Sequence, residues 1–144
     1  MSLESSIWKV ADRPEQRPGL PQYLSAIMAG WPSPAEDYVE GEIDFHKLLV
    51  RNPESTFVLM VAGDSMIGAG IFPGTRLVVD RSVTPVSGSI VIAALEGELT
   101  VKRLLHERGR TYLKPENAAY APIDITEHED VHVWGVVVHA VLTF

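Results

Sequence analysis

The chain has 144 residues, a length that allows one domain with its own hydrophobic core. Acidic residues outnumber basic ones by 19 to 12, and the resulting net charge of −7 disfavours direct binding to a nucleic acid backbone. The chain has no cysteine, which excludes disulfides, thiolate catalysis and zinc–thiolate sites. No apolar run approaches the roughly 20 residues of a membrane span, and the polar N-terminus is unlike a signal peptide. We therefore expect a cytoplasmic protein.

The first 34 residues differ in composition from the rest of the chain. Five prolines and two glycines interrupt this stretch. Because proline fixes φ and lacks an N–H donor, regular structure here should be short. We expect an extended arm that is only loosely tied to the body. Its apolar segment, residues 23–29, is the part suited to dock as an added strand.

Two short helices are predicted after the arm. Ser33 is placed to cap the first, with Pro34 at its first position and Glu36 three residues after the cap. Asp44 is placed to cap the second, which should run from Phe45 to about Val50 and end before an Asn-Pro pair.

From Ser55 onward, β-rich runs alternate with turn residues. The predicted strands are Thr56–Ala62, Thr75–Asp80, Ser89–Leu95, Glu98–Leu105, Arg110–Lys114 and Val131–Leu142. The third and fourth should form a hairpin that turns at Glu96-Gly97. Several runs are apolar on both faces, which indicates a coiled sheet buried on two sides. We interpret Asp80 and Arg81 as an ordinary turn between strands.

Ser65 lies in the motif Gly63-Asp64-Ser65-Met66, where a predicted strand ends in a turn. A serine there can project its hydroxyl into a cleft, with nearby backbone N–H groups available as an oxyanion hole. The hydroxyl needs a base to take its proton, and none of the five histidines has an evident relation to Ser65. Lys102, inside an apolar strand, offers another base, because burial lowers the pKa of a lysine and makes the neutral amine available.

Each of these features, taken alone, also has an ordinary explanation. A Gly-Asp-Ser sequence is typical of a polar turn, and a strand lysine usually extends into solvent. The Asp64 side chain fits a turn cap better than a third catalytic group, and Ala29-Gly30 fits a flexible joint. His128 and His132 allow a metal site, but their spacing on a strand and their acidic neighbours favour an exposed acidic turn.

In combination, the motifs resemble the LexA and UmuD family of self-cleaving serine–lysine peptidases. The resemblance runs from about Ala29 to the end of the chain. The matching segments are Gly30–Glu40, Gly63–Ile67, Ser89–Ala94 with Glu98–Leu104, Asn117–Ile123 and Val133–His139. The separation of 37 residues between Ser65 and Lys102 also fits the family.

The resemblance implies a mainly β catalytic domain of coiled sheets, residues 30–144, with one or two short helices near its start. It implies that self-cleavage at Ala29-Gly30 removes an extended arm, residues 1–29. Ser65 would be the nucleophile, Lys102 its general base, and the backbone amides of Asp64 and Ser65 the oxyanion hole. Small residues at the cleaved bond agree with this, because they let a nucleophile approach the backbone closely. No cofactor or metal is implied.

The family also implies partners. Its activator is a RecA filament on single-stranded DNA, formed in the response to DNA damage. In the UmuD branch, the processed form is a homodimer that serves as accessory subunit of an error-prone, UmuC-type translesion polymerase. We expect the last strand, through β-branched residues such as Val136 and Val138, to pair with a second copy. Trp134 and Phe144 are candidates for core or interface.

Other members of this mechanistic group are less compatible with the sequence. LexA and phage repressors place a DNA-binding domain before the cleavage site, whereas the 29 residues here are broken by prolines and hold no sustained helical period. A repressor catalytic domain without its DNA-binding domain is the alternative. A signal peptidase shares the serine–lysine pair, but it needs a membrane anchor, which we do not find in the sequence.

Overall fold

The computed structural model describes residues 19–23, 26–27, 29–30 and 39–144. Two compact units make up the chain, Met1–Leu48 and Leu49–Phe144. The helix predicted after Ser33 lies outside the described residues. Within the described ranges, no helix is both long and apolar enough to span a membrane.

The first unit contains a small antiparallel sheet that the sequence analysis did not predict. Strand β1 (Leu20–Tyr23) pairs with β2 (Val39–Ile43), with Leu20 opposite Ile43. The chain packs closely here, because a Cβ at Gly19 would lie 2.9 Å from the carbonyl oxygen of Ile43. A proline in β1 argued against a strand, but proline is tolerated in edge strands. The predicted arm is thus paired with residues that follow the predicted scissile bond.

One short helix, α1 (Phe45–Leu49), follows β2. The Asp44 carboxylate accepts a hydrogen bond from the Lys47 N–H at 3.2 Å, and the Asp44 carbonyl accepts one from the Leu48 N–H at 3.0 Å. The side chain therefore satisfies an N–H that the first turn leaves without a partner. This confirms the predicted cap and helix.

Seven antiparallel strands form the sheet of the second unit, in the spatial order β3-β4-β9-β5-β6-β7-β8. They are β3 (Thr56–Met60), β4 (Arg76–Asp80), β5 (Ile90–Leu95), β6 (Glu98–Glu107), β7 (Arg110–Lys114), β8 (Ile123–Asp124) and β9 (His132–Val141). Single turns of 3₁₀ helix cover Pro53–Ser55 and Ile67–Ala69. All six predicted strands are present, and β8, only two residues long, was not predicted. The predicted mainly β fold class is confirmed.

The β5–β6 hairpin turns where the sequence predicts. Leu95 lies opposite Glu98, and the two residues between them, Glu96 and Gly97, have φ values of 52° and 80°. Positive φ at both central residues is the type I′ arrangement, whose twist matches that of the flanking strands. The hairpin fixes the register of Lys102 in β6, which lies opposite Val91 in β5.

Strand β9 is an interior strand of the large sheet, between β4 and β5. It pairs with β4 on one side and β5 on the other, and the register shifts once in each pairing. Such bulges bend a strand and increase its twist. Val136 is buried, while Val138 is partly exposed. β4 pairs with β9 over Val136–Val141 and β5 over His132–Val136, so each edge of β9 is paired along part of its length. The contact expected through Val136 is wrong, because this side chain is buried, whereas pairing of β9 with a second copy stays a prediction.

Apolar side chains are buried on both faces of the large sheet. In β5, Val91 and Ala93 belong to one cluster, while Ile92, between them, belongs to the other. Successive strand residues point to opposite faces, so this strand is covered on both sides. The first cluster consists of Val61, Met66, Ile71, Leu77, Val79 and Ile92, and the second of Val91, Ala93, Leu113 and Val136. The predicted burial of the sheet on two sides is confirmed.

Asp80, at the end of β4, is a buried acceptor and not an ordinary turn residue. Its carboxylate accepts hydrogen bonds from Asn52 Nδ2 and Ser55 Oγ at 2.8 Å each, and from the N–H and hydroxyl of Ser82 at 2.8 and 2.7 Å. These donors hold the pKa of Asp80 well below its usual range. This network could not be predicted from the sequence, because two of its donors lie at least 25 residues away along the chain.

Trp134 packs beneath two other side chains at the surface of the sheet. The Phe57 ring lies 5.5 Å away between centroids, and the Arg81 guanidinium lies 4.4 Å above the Trp134 ring. Arg81 Nε also donates to the Trp134 carbonyl at 2.9 Å. Phe144, by contrast, is fully exposed.

Candidate active site

Ser65 lies in the turn that follows β3. Gly63 has φ of 87°, a left-handed conformation that favours glycine. Met66, immediately after the serine, is fully buried and anchors the turn in the core. Ser65 itself is half-buried. Gly63 and Asp64, which precede the serine, are exposed, whereas Met66, which follows it, is fixed in the core. Ser65 is therefore held at the boundary between solvent and core.

Lys102 extends from the middle of β6 to Ser65. Its Nζ atom lies 2.9 Å from Ser65 Oγ, 3.0 Å from Thr100 Oγ1 and 3.0 Å from the Val101 carbonyl oxygen. Among the described residues, no carboxylate forms an ion pair with this lysine. Burial without a compensating charge lowers the pKa of Lys102. The structure thus brings together the two residues that the sequence singled out.

The three partners of Lys102 accommodate either protonation state of the amine. The Val101 carbonyl can only accept a hydrogen bond, whereas the hydroxyls of Ser65 and Thr100 can accept or donate. A charged ammonium has three N–H donors, and three acceptors are in place. A neutral amine has two donors and a lone pair, so it can donate to Val101 and Thr100 and accept the Ser65 proton. The same geometry therefore suits proton transfer from serine to lysine.

Thr100 is a site residue that the sequence analysis did not single out. It precedes Lys102 by two residues on the same strand and so points to the same face of the sheet. That spacing, applied to Lys102, would have identified it. Among the described residues, Thr100 and Ser65 supply the two hydroxyl partners of the Lys102 amine.

An apolar cavity of about 280 Å³ adjoins Ser65. Its walls come from the end of β3 and the start of β6, with two core residues at the base. The lining residues are Leu59, Met60, Val61, Ala62, Ser65, Leu77, Ile92, Leu99, Thr100 and Val101. Leu99 and Met60 are more than half exposed. A cleft of this kind suits an extended peptide segment with small or apolar side chains.

The loop after β7 is attached to the Ser65 turn at three points. Gly68 N–H donates to the Glu116 carbonyl at 2.7 Å, and Asn117 Nδ2 donates to the Asp64 carbonyl at 2.9 Å. The Tyr120 hydroxyl donates a short hydrogen bond to the Asp64 carboxylate, which raises the pKa of Tyr120. The sequence analysis quoted this loop only as a family segment and assigned no role to its residues.

Asp64 is only partly the turn residue that the sequence predicted. Its carbonyl accepts a long hydrogen bond of 3.4 Å from the Ile67 N–H, which closes the turn, but its carboxylate is bound by Tyr120 instead of capping the turn. Within the part of the chain that the structure describes, the Ser65 N–H donates to no backbone carbonyl. As far as the described residues go, this donor is available beside the Ser65 hydroxyl, as an oxyanion hole requires.

The structure also describes two other predicted features. Ala29 and Gly30 are exposed and lie in the chain between β1 and β2. His128 is exposed in a turn, where its N–H donates to the Ile125 carbonyl at 3.1 Å, and His132 is exposed at the start of β9. Among the residues described, no group of three or more histidines and carboxylates is arranged to hold a metal ion.

Comparison with known proteins places this chain in a family. The Peptidase S24-like family model matches residues 21–138. Protein MucA of Salmonella typhimurium is 45% identical over 124 residues, which span 85% of this chain and 84% of MucA. Protein SamA of Salmonella typhimurium is 41% identical over 86% of this chain and 88% of SamA. The LexA repressor of Streptomyces clavuligerus is 46% identical over 69% of this chain and 41% of the repressor.

The matched region contains the Ser65 turn, the Lys102 strand and the whole loop that carries Asn117 and Tyr120. The mainly β architecture also agrees with the family. This chain therefore belongs to the S24 peptidase family and, within that family, to the UmuD type.

Proposed function

We propose that this protein cuts its own chain at Ala29-Gly30 and that the product, residues 30–144, acts as accessory subunit of an error-prone translesion polymerase. The single observation that carries the proposal is the 2.9 Å hydrogen bond between Lys102 Nζ and Ser65 Oγ in a partly desolvated cleft. A serine–lysine pair of this kind suits acyl transfer, because the neutral amine can remove the hydroxyl proton.

In the first step, Ser65 Oγ attacks the Ala29 carbonyl carbon while Lys102 Nζ takes the hydroxyl proton. The carbonyl π electrons move onto oxygen, and the backbone N–H groups of Asp64 and Ser65 stabilise that negative charge. When the tetrahedral intermediate collapses, the bond to the Gly30 nitrogen breaks. Lys102 returns its proton to the leaving amine, which leaves Ala29 as an ester on Ser65.

In the second step, water attacks the ester carbonyl and Lys102 accepts a proton from that water. Collapse of the second tetrahedral intermediate expels the Ser65 oxygen, which takes a proton back from Lys102. This step releases Ala29 as a new C-terminal carboxyl group, which loses its proton to solvent, and regenerates the free serine. The role assigned to Lys102 requires it to be neutral at the start of each step, which its lowered pKa favours.

The consequence of the cut follows from the pairing of β1 with β2. Before cleavage the two strands belong to one chain, so their pairing is intramolecular. After cleavage the arm is held by non-covalent contacts alone, and among the described residues these include the pairing of a four-residue strand. Because an isolated two-stranded ribbon is marginal in water, the arm should dissociate and open β2 to other partners.

We propose that this change of partners is the biological output. A RecA filament on single-stranded DNA would stimulate the cut in the cytoplasm after DNA damage, and a UmuC-type polymerase would bind the processed form. Relatives such as MucA and SamA support this assignment by similarity along most of their length. The net charge of −7 also favours contact with nucleic acid through a protein partner instead of directly.

We further propose that the protein is a homodimer. The contact would involve the end of β9 and the residues that follow it. Partly or fully exposed apolar residues at the end of the chain support this, namely Val138, Val141, Leu142 and Phe144. Sedimentation of the full-length and processed forms tests it, and a monomeric full-length chain contradicts it.

A repressor of the LexA type is the second candidate, because a LexA repressor is 46% identical to this chain. That match covers 41% of the repressor, however, whereas the match to MucA covers 84% of MucA. The UmuD-type function therefore has the broader support. Both candidates would use the same self-cleavage chemistry, so they differ in partner and not in mechanism.

Incubation of the purified full-length chain tests the proposal. We expect mass spectrometry after alkaline incubation to find a fragment that begins at Gly30, and a RecA filament to produce the same fragment faster near neutral pH. A chain that stays intact under both conditions, or is cut elsewhere, would contradict the proposal. Co-purification of the processed form with a UmuC-type polymerase tests the accessory role separately.

A further inference from the structure

We propose that Asn117 is a positioning residue that orients the Ser65 N–H into the oxyanion hole. This inference rests on the proposed self-cleavage. It adds a residue, 52 positions farther along the chain than Ser65, that acts on the turn carrying Ser65, here called the nucleophile turn. Asn117 would touch neither the scissile bond nor Lys102. It would act through the peptide group that joins Asp64 to Ser65.

The Asn117 side chain is fixed at both ends. Its Nδ2 donates to the Asp64 carbonyl at 2.9 Å, and its Oδ1 accepts from the Ala119 N–H at 3.0 Å. Because a backbone N–H can only donate and a carbonyl can only accept, these two partners define which end of the amide faces Asp64. Asn117 is also half-buried, at the base of its loop. The amide is thus preorganised as a donor to the nucleophile turn.

The geometry of the peptide group carries this contact to Ser65. A trans peptide is planar, and its C=O and N–H point in opposite directions. A donor that holds the Asp64 carbonyl on one side therefore holds the Ser65 N–H toward the other. That N–H donates to no backbone carbonyl in the described part of the chain. Without Asn117, the Asp64 carbonyl would keep only the 3.4 Å hydrogen bond from Ile67.

Tyr120 provides an internal comparison. It binds the same residue, Asp64, from the same loop, but through the carboxylate and not through the peptide group. Loss of the Tyr120 hydroxyl should therefore loosen the loop without releasing the Asp64 carbonyl. Lys102 forms no hydrogen bond with Asn117 or Tyr120, since its partners among the described residues are Ser65, Thr100 and the Val101 carbonyl. Asn117→Ala, which adds no charge, should consequently leave the titration of the base unaltered.

The experiment compares first-order self-cleavage rates of four full-length chains: wild type, Asn117→Asp, Asn117→Ala and Tyr120→Phe. Asn117→Asp keeps the shape and the acceptor for Ala119 but replaces the donor with an oxygen that repels the Asp64 carbonyl. Rates are measured from about pH 7 to about pH 11, a range that brackets lysine titration. Circular dichroism measures the folded fraction of each chain at each pH.

We expect both Asn117 variants to cleave about ten- to a hundredfold more slowly than wild type at every pH. Deletion of a whole oxyanion-hole donor costs about 10²–10³-fold, and misorientation should cost less. The folded fraction of both variants and the pH midpoint of Asn117→Ala should match wild type. Tyr120→Phe should cleave at nearly the wild-type rate. This combination separates positioning of the N–H from general support of the loop.

Three results would overturn the inference: an Asn117 variant that cleaves as fast as wild type, a shifted pH midpoint in Asn117→Ala, or a rate loss that follows a loss of folded protein. A loss in Tyr120→Phe equal to that in Asn117→Asp would also overturn it, because the loop would then act as a whole. A wild-type chain that never yields the Gly30 fragment would instead contradict the proposed function, so the two failures are distinguishable.

Discussion

The Nζ atom of Lys102 lies 2.9 Å from the Oγ atom of Ser65, although the two residues are 37 positions apart in the chain. The contact joins the middle of β6 to the turn after β3, two strands that are not neighbours in the sheet. Since the lysine is partly desolvated, the contact combines a nucleophile with a base whose pKa is lowered. The first three predictions follow from this pair.

Replacement of the nucleophile should separate activity from folding. We expect Ser65→Ala to yield no Gly30 fragment in alkaline incubation, while its stability falls by only about 1 kcal/mol, the net contribution of a typical hydrogen bond. Ser87→Ala is the matched control, because it also removes a hydrogen-bonded hydroxyl, one that accepts from the His106 N–H at 2.9 Å. The control should cleave normally. A Gly30 fragment from Ser65→Ala would mean that another group is the nucleophile.

The pH dependence of cleavage should report the titration of Lys102. Only the neutral amine can act as base, so the rate should rise with pH and level off above the lysine pKa. Because burial lowers that pKa, the midpoint should lie below that of free lysine, about pH 10.4. Lys102→Arg should be inactive throughout, and Lys114→Arg, which changes an exposed lysine of β7, should keep the wild-type profile. A rate independent of pH would exclude a lysine base.

Thr100 should support the amine through its hydroxyl. Thr100→Val keeps the shape of the side chain but removes the 3.0 Å partner of Lys102 Nζ. Since one hydrogen bond contributes about 0.5–1.5 kcal/mol, the plateau rate at high pH should fall by roughly two- to tenfold. Thr100→Ser retains the hydroxyl and should stay near the wild-type rate. Equal rates in the valine and serine variants would remove Thr100 from the site.

Close contact between the nucleophile turn and the following loop should make Gly68 intolerant of a side chain. A Cβ at this position would lie 2.6 Å from the Glu116 carbonyl oxygen, a backbone atom that can move only with its loop. We expect Gly68→Ala to lower the free energy of unfolding by about 1–3 kcal/mol and to slow cleavage. Gly41→Ala adds the same methyl group in open space and should change neither property. Urea denaturation measures the stabilities, and unchanged stability in Gly68→Ala would contradict the packing described here.

Acid should destabilise the second unit partly through Asp80 and Asp124. Donors from Thr126 and Arg110 lower the pKa of Asp124 to about 2, and the Asn52 and Ser82 donors lower that of Asp80. A carboxyl whose folded-state pKa is depressed stabilises the protein above its unfolded pKa, and this contribution is lost as the pH falls toward the folded value.

The loss should therefore begin below about pH 4, the unfolded pKa of an aspartate. We expect Asp80→Asn to be less stable than wild type at neutral pH but to lose less stability on acidification. Urea midpoints at neutral pH and at acidic pH measure the two stabilities. Glu129→Gln, which alters an exposed carboxylate, should follow wild type. Parallel acid losses in Asp80→Asn and wild type would contradict the role given to this network.

Several elements could be predicted from the sequence because the signals for them are local. The Asp44 cap, the strands of the large sheet and the Glu96-Gly97 turn depend on residues within a few positions of one another. Burial of β5 on both faces was also predictable, since an uninterrupted apolar run needs cover on each side. Ser65 and Lys102 were singled out by motif and spacing, and their catalytic roles remain predictions.

Other features depended on how distant segments meet. Val136 was predicted to be exposed, but β9 lies between β4 and β5 and carries it into the core. Asp80 resembled a turn residue until Asn52 and Ser55 were found to donate to it. Asn117 and Tyr120 gained their role only where their loop meets the Asp64 turn. The sequence alone determined the elements and the chemically able residues, because side-chain periodicity and turn preferences act over a few residues. Strand order, register and loop contacts were decided by the tertiary structure, because they depend on packing between residues far apart in the chain.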